Sequence, residues 1–213
     1  MSSTLRVGAV VCAFLGFQDI GSAQGRPENA ATAPPYTFHI LQFGNTYQGF
    51  RLKSATGETW QLTAGKWVAV PEAGSLTGGK YEMLLVPTNK NLAAFRFEST
   101  SGAIWMMQQR RWTRLDEPAT AGKVPAGTTF RWRQLLLGDT LQILRFNPGT
   151  GESATLVGGQ LQSIPEAEAL RRGDYEVVLV GAGESWMAIR TDRVSGQGWL
   201  LRNNQWHKVD DSE

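Results

Sequence analysis

The strongest constraint on this chain is that it repeats itself. Four segments align without a gap when set on Arg51, Arg96, Arg145 and Arg190. Fifteen residues before each Arg stands an aromatic: Tyr36, Tyr81, Phe130 and Tyr175. Six residues after it stands Gly57, Gly102, Gly151 or Gly196. Nine after come Trp60, Trp105, Ala154 and Trp199, and sixteen after come Trp67, Trp112, Leu161 and Trp206. Nineteen after lies an aliphatic residue (Val70, Leu115, Ile164, Val209), and twenty-one after an acid every time: Glu72, Glu117, Glu166 and Asp211. Columns that agree over such a length mark tandem copies of one supersecondary unit.

The units run over about 34–72, 79–117, 128–166 and 173–211, in a repeat domain of 34–211. Pro118 and Pro125 lie in the longest spacer and divide the array into two halves of two units. Each unit reads as four short strands. Tyr36-x-Phe38-x-Ile40 and Tyr175-x-Val177-x-Leu179 alternate with a period of two, which puts those side chains on one face. The second strand brackets the Arg with apolar neighbours, as in Phe50 and Leu52, so the Arg points to the other face. The turn that follows ends on the repeated Gly, where positive φ excludes a Cβ.

The last turn of each unit is Ala64-Gly65, Gln109-Arg110, Gly158-Gly159 or Asn203-Asn204. Three of these pairs suit a two-residue hairpin with positive φ, and Gln109-Arg110 fits it poorly. This hairpin sets Leu62 opposite Trp67 and Leu201 opposite Trp206. Unit three carries Ala154 and Leu161 in place of both indoles, with Trp132 nearby to fill the gap.

Four-stranded meanders in tandem predict an all-β fold, a four-bladed β-propeller. The competing arrangement is two similar small β sandwiches or barrels, Pro34–Glu117 and Pro118–Asp211. Only Glu166–Arg172 has helix-friendly composition.

The N-terminus predicts export. Arg6 precedes an apolar run from Val7 to Phe17, and Gly21-Ser22-Ala23 supplies small residues before a cut, so residues 1–23 read as a signal peptide. Eleven apolar residues fall short of the roughly 20 that cross a bilayer. Residues 24–33 read as a flexible leader. The lone Cys12 lies in the apolar run, which leaves a mature chain without disulfides. After residue 24 no amphipathic helix or long apolar run follows. Membrane contact is therefore expected to be peripheral at most, unless the N-terminal segment is retained as an anchor.

Composition narrows the chemistry. A net charge of +2 lacks the basic footprint of a nucleic-acid binder. His39 and His207 stand at different repeat positions, and no metal or cofactor site is predicted. Gly74-x4-Gly79-Lys80 imitates a phosphate loop, but Tyr81 stands where Ser or Thr must bind magnesium.

The stretch Arg190-Thr191-Asp192-Arg193-Val194-Ser195-Gly196-Gln197-Gly198-Trp199 resembles the Asp-Thr-x-Thr-Gly-x-x-Trp pattern of small bacterial envelope proteins of unassigned function. Thr191-Asp192 reverses the first pair, and the other units offer Lys53, Glu98 or Asn147 where an Asp would stand. The resemblance implies a bacterial export setting and carries no activity.

Two sets of residues stand out as sites. Arg51, Arg96, Arg145 and Arg190 either converge on an axis as an anion site or pair with Glu72, Glu117, Glu166 and Asp211 as structural ion pairs within or between units. Pairing is the expected role. The Trp columns are expected in the core, and Trp132 and Trp186, which fall outside them, are the candidate recognition aromatics. The chain is thus expected to be an exported, non-catalytic β-repeat binding or scaffold protein of the cell envelope, with a protein or envelope glycan as partner. The alternatives are a lectin-like glycan binder using exposed Trp and Tyr, or a hydrolase whose site is scattered in sequence.

Overall fold

Each repeat folds into one antiparallel meander, because alternating apolar residues and fixed turn residues recur at the same offsets. The structure is a computed structural model, which describes residues 35–43, 45–87, 92–117, 127–183 and 185–210. The expected signal peptide and leader, and Asp211, lie outside the described residues.

The first sheet is β1 (Tyr36–Phe43), β2 (Thr46–Lys53), β3 (Thr59–Thr63) and β4 (Lys66–Ala69). The second is β5 (Tyr81–Pro87), β6 (Leu92–Glu98), β7 (Ile104–Gln108) and β8 (Arg111–Arg114). The third is β9 (Arg131–Leu137), β10 (Thr140–Phe146), β11 (Ser153–Val157) and β12 (Gln160–Ser163). The fourth is β13 (Tyr175–Ala182), β14 (Ser185–Asp192), β15 (Gly198–Arg202) and β16 (Gln205–Val209). Strands pair in chain order within every sheet. The described residues contain no helix.

The turns do what the sequence asks of them. Gly57, Gly102, Gly151 and Gly196 have φ of 79°, 73°, 77° and 76°, and each amide donates to the carbonyl four residues earlier. Leu62 faces Trp67, and Leu201 faces Trp206. Gln109 and Arg110 adopt φ of 48° and 62°, the same left-handed pair as Asn203 and Asn204 at 49° and 58°. Register and packing therefore override poor turn chemistry at that hairpin.

The sheets pack face to face. Phe50, Leu52 and Val70 of the first sheet meet Tyr81, Met83, Trp105 and Trp112 of the second. Phe95, Phe97, Ile104 and Leu115 of the second meet Trp132, Ile143, Ala154 and Leu161 of the third. Leu144, Phe146 and Ile164 of the third meet Tyr175, Val177, Trp199 and Trp206 of the fourth. The second and third sheets share a core, so the two halves are not separate sandwiches or barrels. Burying both faces of the inner sheets is what a blade-like stack achieves and a lone meander cannot.

Backbone bonds stitch successive sheets as well. Tyr81 N–H donates to Ser54 C=O at 2.8 Å and Tyr175 N–H to Pro148 C=O at 2.7 Å. Trp112 and Trp206 donate to Pro71 and Pro165 at 2.9 and 3.0 Å, and accept from Ala73 and Ala167. These bonds hold Glu166 and Ala167 extended along β16, which is why the helix-friendly stretch 166–172 forms no helix.

Candidate functional site

The repeated arginines lie in the joints between sheets. Register puts Met83, Arg96 and Trp105 side by side on one face of the second sheet, and Val177, Arg190 and Trp199 on one face of the fourth. The Arg96 guanidinium carbon sits 4.8 Å from the ring centres of both Trp105 and Trp112, and 5.8 Å from that of Tyr81. Arg190 sits 4.8 Å from Trp199, 4.6 Å from Trp206 and 5.6 Å from Tyr175. Indole faces carry negative potential and attract the desolvated cation. They also surround Nε of Arg96 and Arg190, which have no hydrogen-bond partner among the described residues.

The forks of these arginines reach back to the sheet before. Arg96 donates to both carboxylate oxygens of Glu72 at 2.7 Å and, through Nη1, to the Gly57 carbonyl at 2.7 Å. Arg190 donates to Glu166 at 2.6 and 2.7 Å and to Gly151 C=O at 2.9 Å. Arg145 repeats the scheme with one bond to Glu117 at 2.6 Å and one to Gly102 C=O at 2.9 Å. Planar, bidentate recognition of a carboxylate suits guanidinium and not ammonium.

Unit three shows how the joint tolerates loss of its indoles. Phe130 alone covers Arg145, at 4.9 Å. Trp132, the direct neighbour of Arg145 on β9, fills the space beside Ala154 and stacks on Phe97 at 4.4 Å.

These positions bear out the pairing of arginines with acids and decide between the alternatives left open. The ion pairs run between sheets, each arginine meeting the acid of the preceding unit, so Glu72 belongs to Arg96 and not to Arg51. Arg96, Arg145 and Arg190 each lie in a different joint with their forks occupied, which removes the shared anion site on an axis. Trp132 is buried in the second core cluster and is not an open recognition aromatic, while Trp186 is half-buried against the third. Arg51 keeps its cage, 4.4 Å from Trp60 and 5.3 Å from Trp67 and Tyr36, yet pairs with no acid among the described residues.

A second repeated device caps the glycine turns. Glu98 accepts from the N–H groups of Thr100 and Ser101 and from the Ser101 hydroxyl. Asp192 accepts from the N–H groups of Asp174 and Val194 and from the Ser195 hydroxyl at 2.6 Å. Asn147 does the same for Gly149 and Thr150. Burial raises the Glu98 carboxyl, but the Ser101 hydroxyl and the turn amides outweigh it and hold the group below the usual carboxylate range. The Ser195 hydroxyl, then the Asp174 amide, lower Asp192. An Asp, Glu or Asn two residues after the Arg thus caps the turn in three of the four units. Lys53 breaks the pattern and pairs instead with Glu58 at 3.2 Å.

Sequence reading missed the charge cluster between β9 and β13, where Arg131 and Arg133 both bind Glu176 and Arg133 also donates to Val177 C=O at 3.0 Å. These residues follow no repeat column, so nothing in the alignment pointed to them. A shallow polar cleft of about 560 Å³ lies at the end of the β7–β8 hairpin, beside Gln108, Arg110, Arg111 and Thr113. His39 is partly buried, which lowers its pKa, and its Nε2 is 3.3 Å from the Thr37 hydroxyl. No cluster of three or more His, Cys, Asp or Glu able to hold a metal occurs among the described residues.

The fold and its joints define a tandem-blade β protein. Comparison with protein-family models and with curated proteins returns no match to this chain.

Proposed function

We propose that this is an exported, non-catalytic binding or scaffold protein of the bacterial cell envelope. The observation that carries the reading is where the repeated polar groups are used. Arg96, Arg145 and Arg190 are consumed by Glu72, Glu117 and Glu166, and Glu98, Asn147 and Asp192 are consumed by turn amides. The recurring charged columns hold sheets together, and the segments that differ between units are left to meet a partner. Chief among these are the connections around 43–46, 87–91, 137–140 and 181–185, which join the first two strands of each sheet. Rigid repeats that present variable loops work by binding. The apolar run before Ala23 supports export.

A second reading, glycan binding, is favoured by the exposed aromatics Tyr36, Phe38, Tyr47 and Trp67 on the first sheet. Aromatic faces stack on sugars as they stack on one another. The experiment replaces Leu137–Thr140 with Gly-Ser-Gly-Ser and compares both proteins for co-purification from the native envelope and for binding on a glycan array. Loss of a specific companion in the loop variant supports the binding or scaffold role. Unchanged companions in that variant overturn the loop assignment, and glycan binding lost on Phe38→Ala moves the function to the first sheet.

A further inference from the structure

Each of the three joints has the same two halves. The downstream sheet brings an arginine covered by aromatic rings, three in the second and fourth sheets and one in the third. The upstream sheet brings a glycine turn, an apolar face and an acid. A Cβ on Gly57 would lie 2.8 Å from the Tyr81 ring, one on Gly102 would lie 2.7 Å from the Phe130 ring, and one on Gly151 would lie 3.1 Å from the Tyr175 ring. So tightly do the halves fit.

The first sheet has a downstream half with nothing on it among the described residues. Phe38 is 62% exposed and Trp67 37%, while their counterparts Met83, Trp132, Val177, Trp112, Leu161 and Trp206 are all buried. Arg51 sits in its cage without a carboxylate among the described residues, its Nε unpartnered. The fourth sheet has the matching upstream half, also bare. Ile189 is 39% exposed and Val209 48%, while Phe50, Phe95, Leu144 and Val70, Leu115, Ile164 are buried. A Cβ on Gly196 would meet nothing within 4 Å. One chain carries both halves of a fourth joint and unites neither.

We propose that a second copy of this chain completes it, the first sheet of each copy packing on the fourth sheet of the other. A two-fold pair makes two such joints at once and leaves neither face bare. Head-to-tail contacts of this kind close into a ring when the rotation between copies allows it, and a two-fold rotation closes at two copies. Eight sheets lie within the usual range of blade numbers. In the completed joint Arg51 takes the Gly196 carbonyl, as Arg96, Arg145 and Arg190 take those of Gly57, Gly102 and Gly151. A four-sheet ring closed within one chain would bury Phe38 and Ile189, and both are exposed. The inference is independent of what the loops bind, so its failure leaves the proposed function standing.

The test is the mass of the purified chain by light scattering across a concentration series, with two variants at positions exposed in the single chain. Phe38→Asp spoils only the first-sheet half, and Ile189→Asp only the fourth-sheet half. Wild type is expected at twice the chain mass, and each variant alone at the single-chain mass with an unchanged far-ultraviolet spectrum. Mixed one to one, the variants regain the two-chain mass through the one joint that both leave intact. The proposal is overturned by a wild type that stays single up to its solubility limit, or by masses beyond two chains. A mixture that stays single, or a variant that remains paired, overturns it equally.

Discussion

Glu166 accepts two hydrogen bonds from Arg190, at 2.6 and 2.7 Å, across the joint between the third and fourth sheets. Arg190 is fully buried, while the acid keeps contact with solvent. The same pair recurs as Arg96 with Glu72 and Arg145 with Glu117, so one chemical device fastens each sheet to the next.

Breaking that device should cost far more than breaking a surface pair. Glu166→Ala leaves a buried guanidinium without its anion, a loss of about 3 kcal/mol. Arg193 and Asp174 also form an ion pair, but both are about half exposed and screened by solvent, so Asp174→Ala should shift the urea midpoint far less than Glu166→Ala. Urea titrations of the two variants, followed by tryptophan fluorescence, compare them directly. Equal midpoints would show that the joints are not held by charge.

The repeated glycines should differ in their tolerance of a methyl group. Alanine at position 57 meets positive φ and the Tyr81 ring together, and about 3 kcal/mol is expected from strain plus overpacking. Alanine at 196 meets positive φ alone, and about 1–2 kcal/mol is expected. The comparison belongs in the Phe38→Asp background, where the joint between copies is blocked. Equal losses would mean that the close approach at Gly57 adds nothing.

The β7–β8 hairpin carries removable strain. Gln109 and Arg110 sit in left-handed conformations that Asn and Gly adopt readily. Gln109→Asn with Arg110→Gly should raise stability by about 1 kcal/mol, although the Arg110 contact with the Thr63 hydroxyl at 3.3 Å is lost. Thermal melts check this. A lower melting temperature would assign that contact more weight than the turn.

Acid should loosen the turns before it breaks the apolar cores. Asp192 and Glu98 are held below their unfolded pKa values, so the stability they contribute is complete above the ordinary carboxyl range. It is lost as the pH falls through the lowered folded values. Urea midpoints should therefore be flat from neutrality to about pH 5 and then decline. Ser195→Ala removes the first cause of the Asp192 shift and should make that decline shallower. An unaltered slope would show that the hydroxyl does not set the carboxyl's acidity.

Much of this was legible from residue order alone. Leu62 opposite Trp67 followed from a two-residue hairpin, and the positive φ of Gly57 and its three equivalents followed from their place in a turn. The partner of each arginine was not. Arg51 and Glu72 share a unit, and nothing in their spacing says that Glu72 reaches forward to Arg96. Trp132 and Trp186 were set apart because they break the columns. Trp132 is buried for that same reason, since unit three has Ala154 where the others have an indole and a larger ring was needed beside it.

The sequence by itself determined the sheet: its four strands, their register and their bends. These depend on side-chain alternation and backbone torsion, which act over a few residues and are copied with every repeat. Only the tertiary structure decided how one sheet meets the next, and so which acid faces which arginine and which faces stay bare. A meander has two apolar faces, and the choice of what covers each is made in space, between residues that no local rule connects.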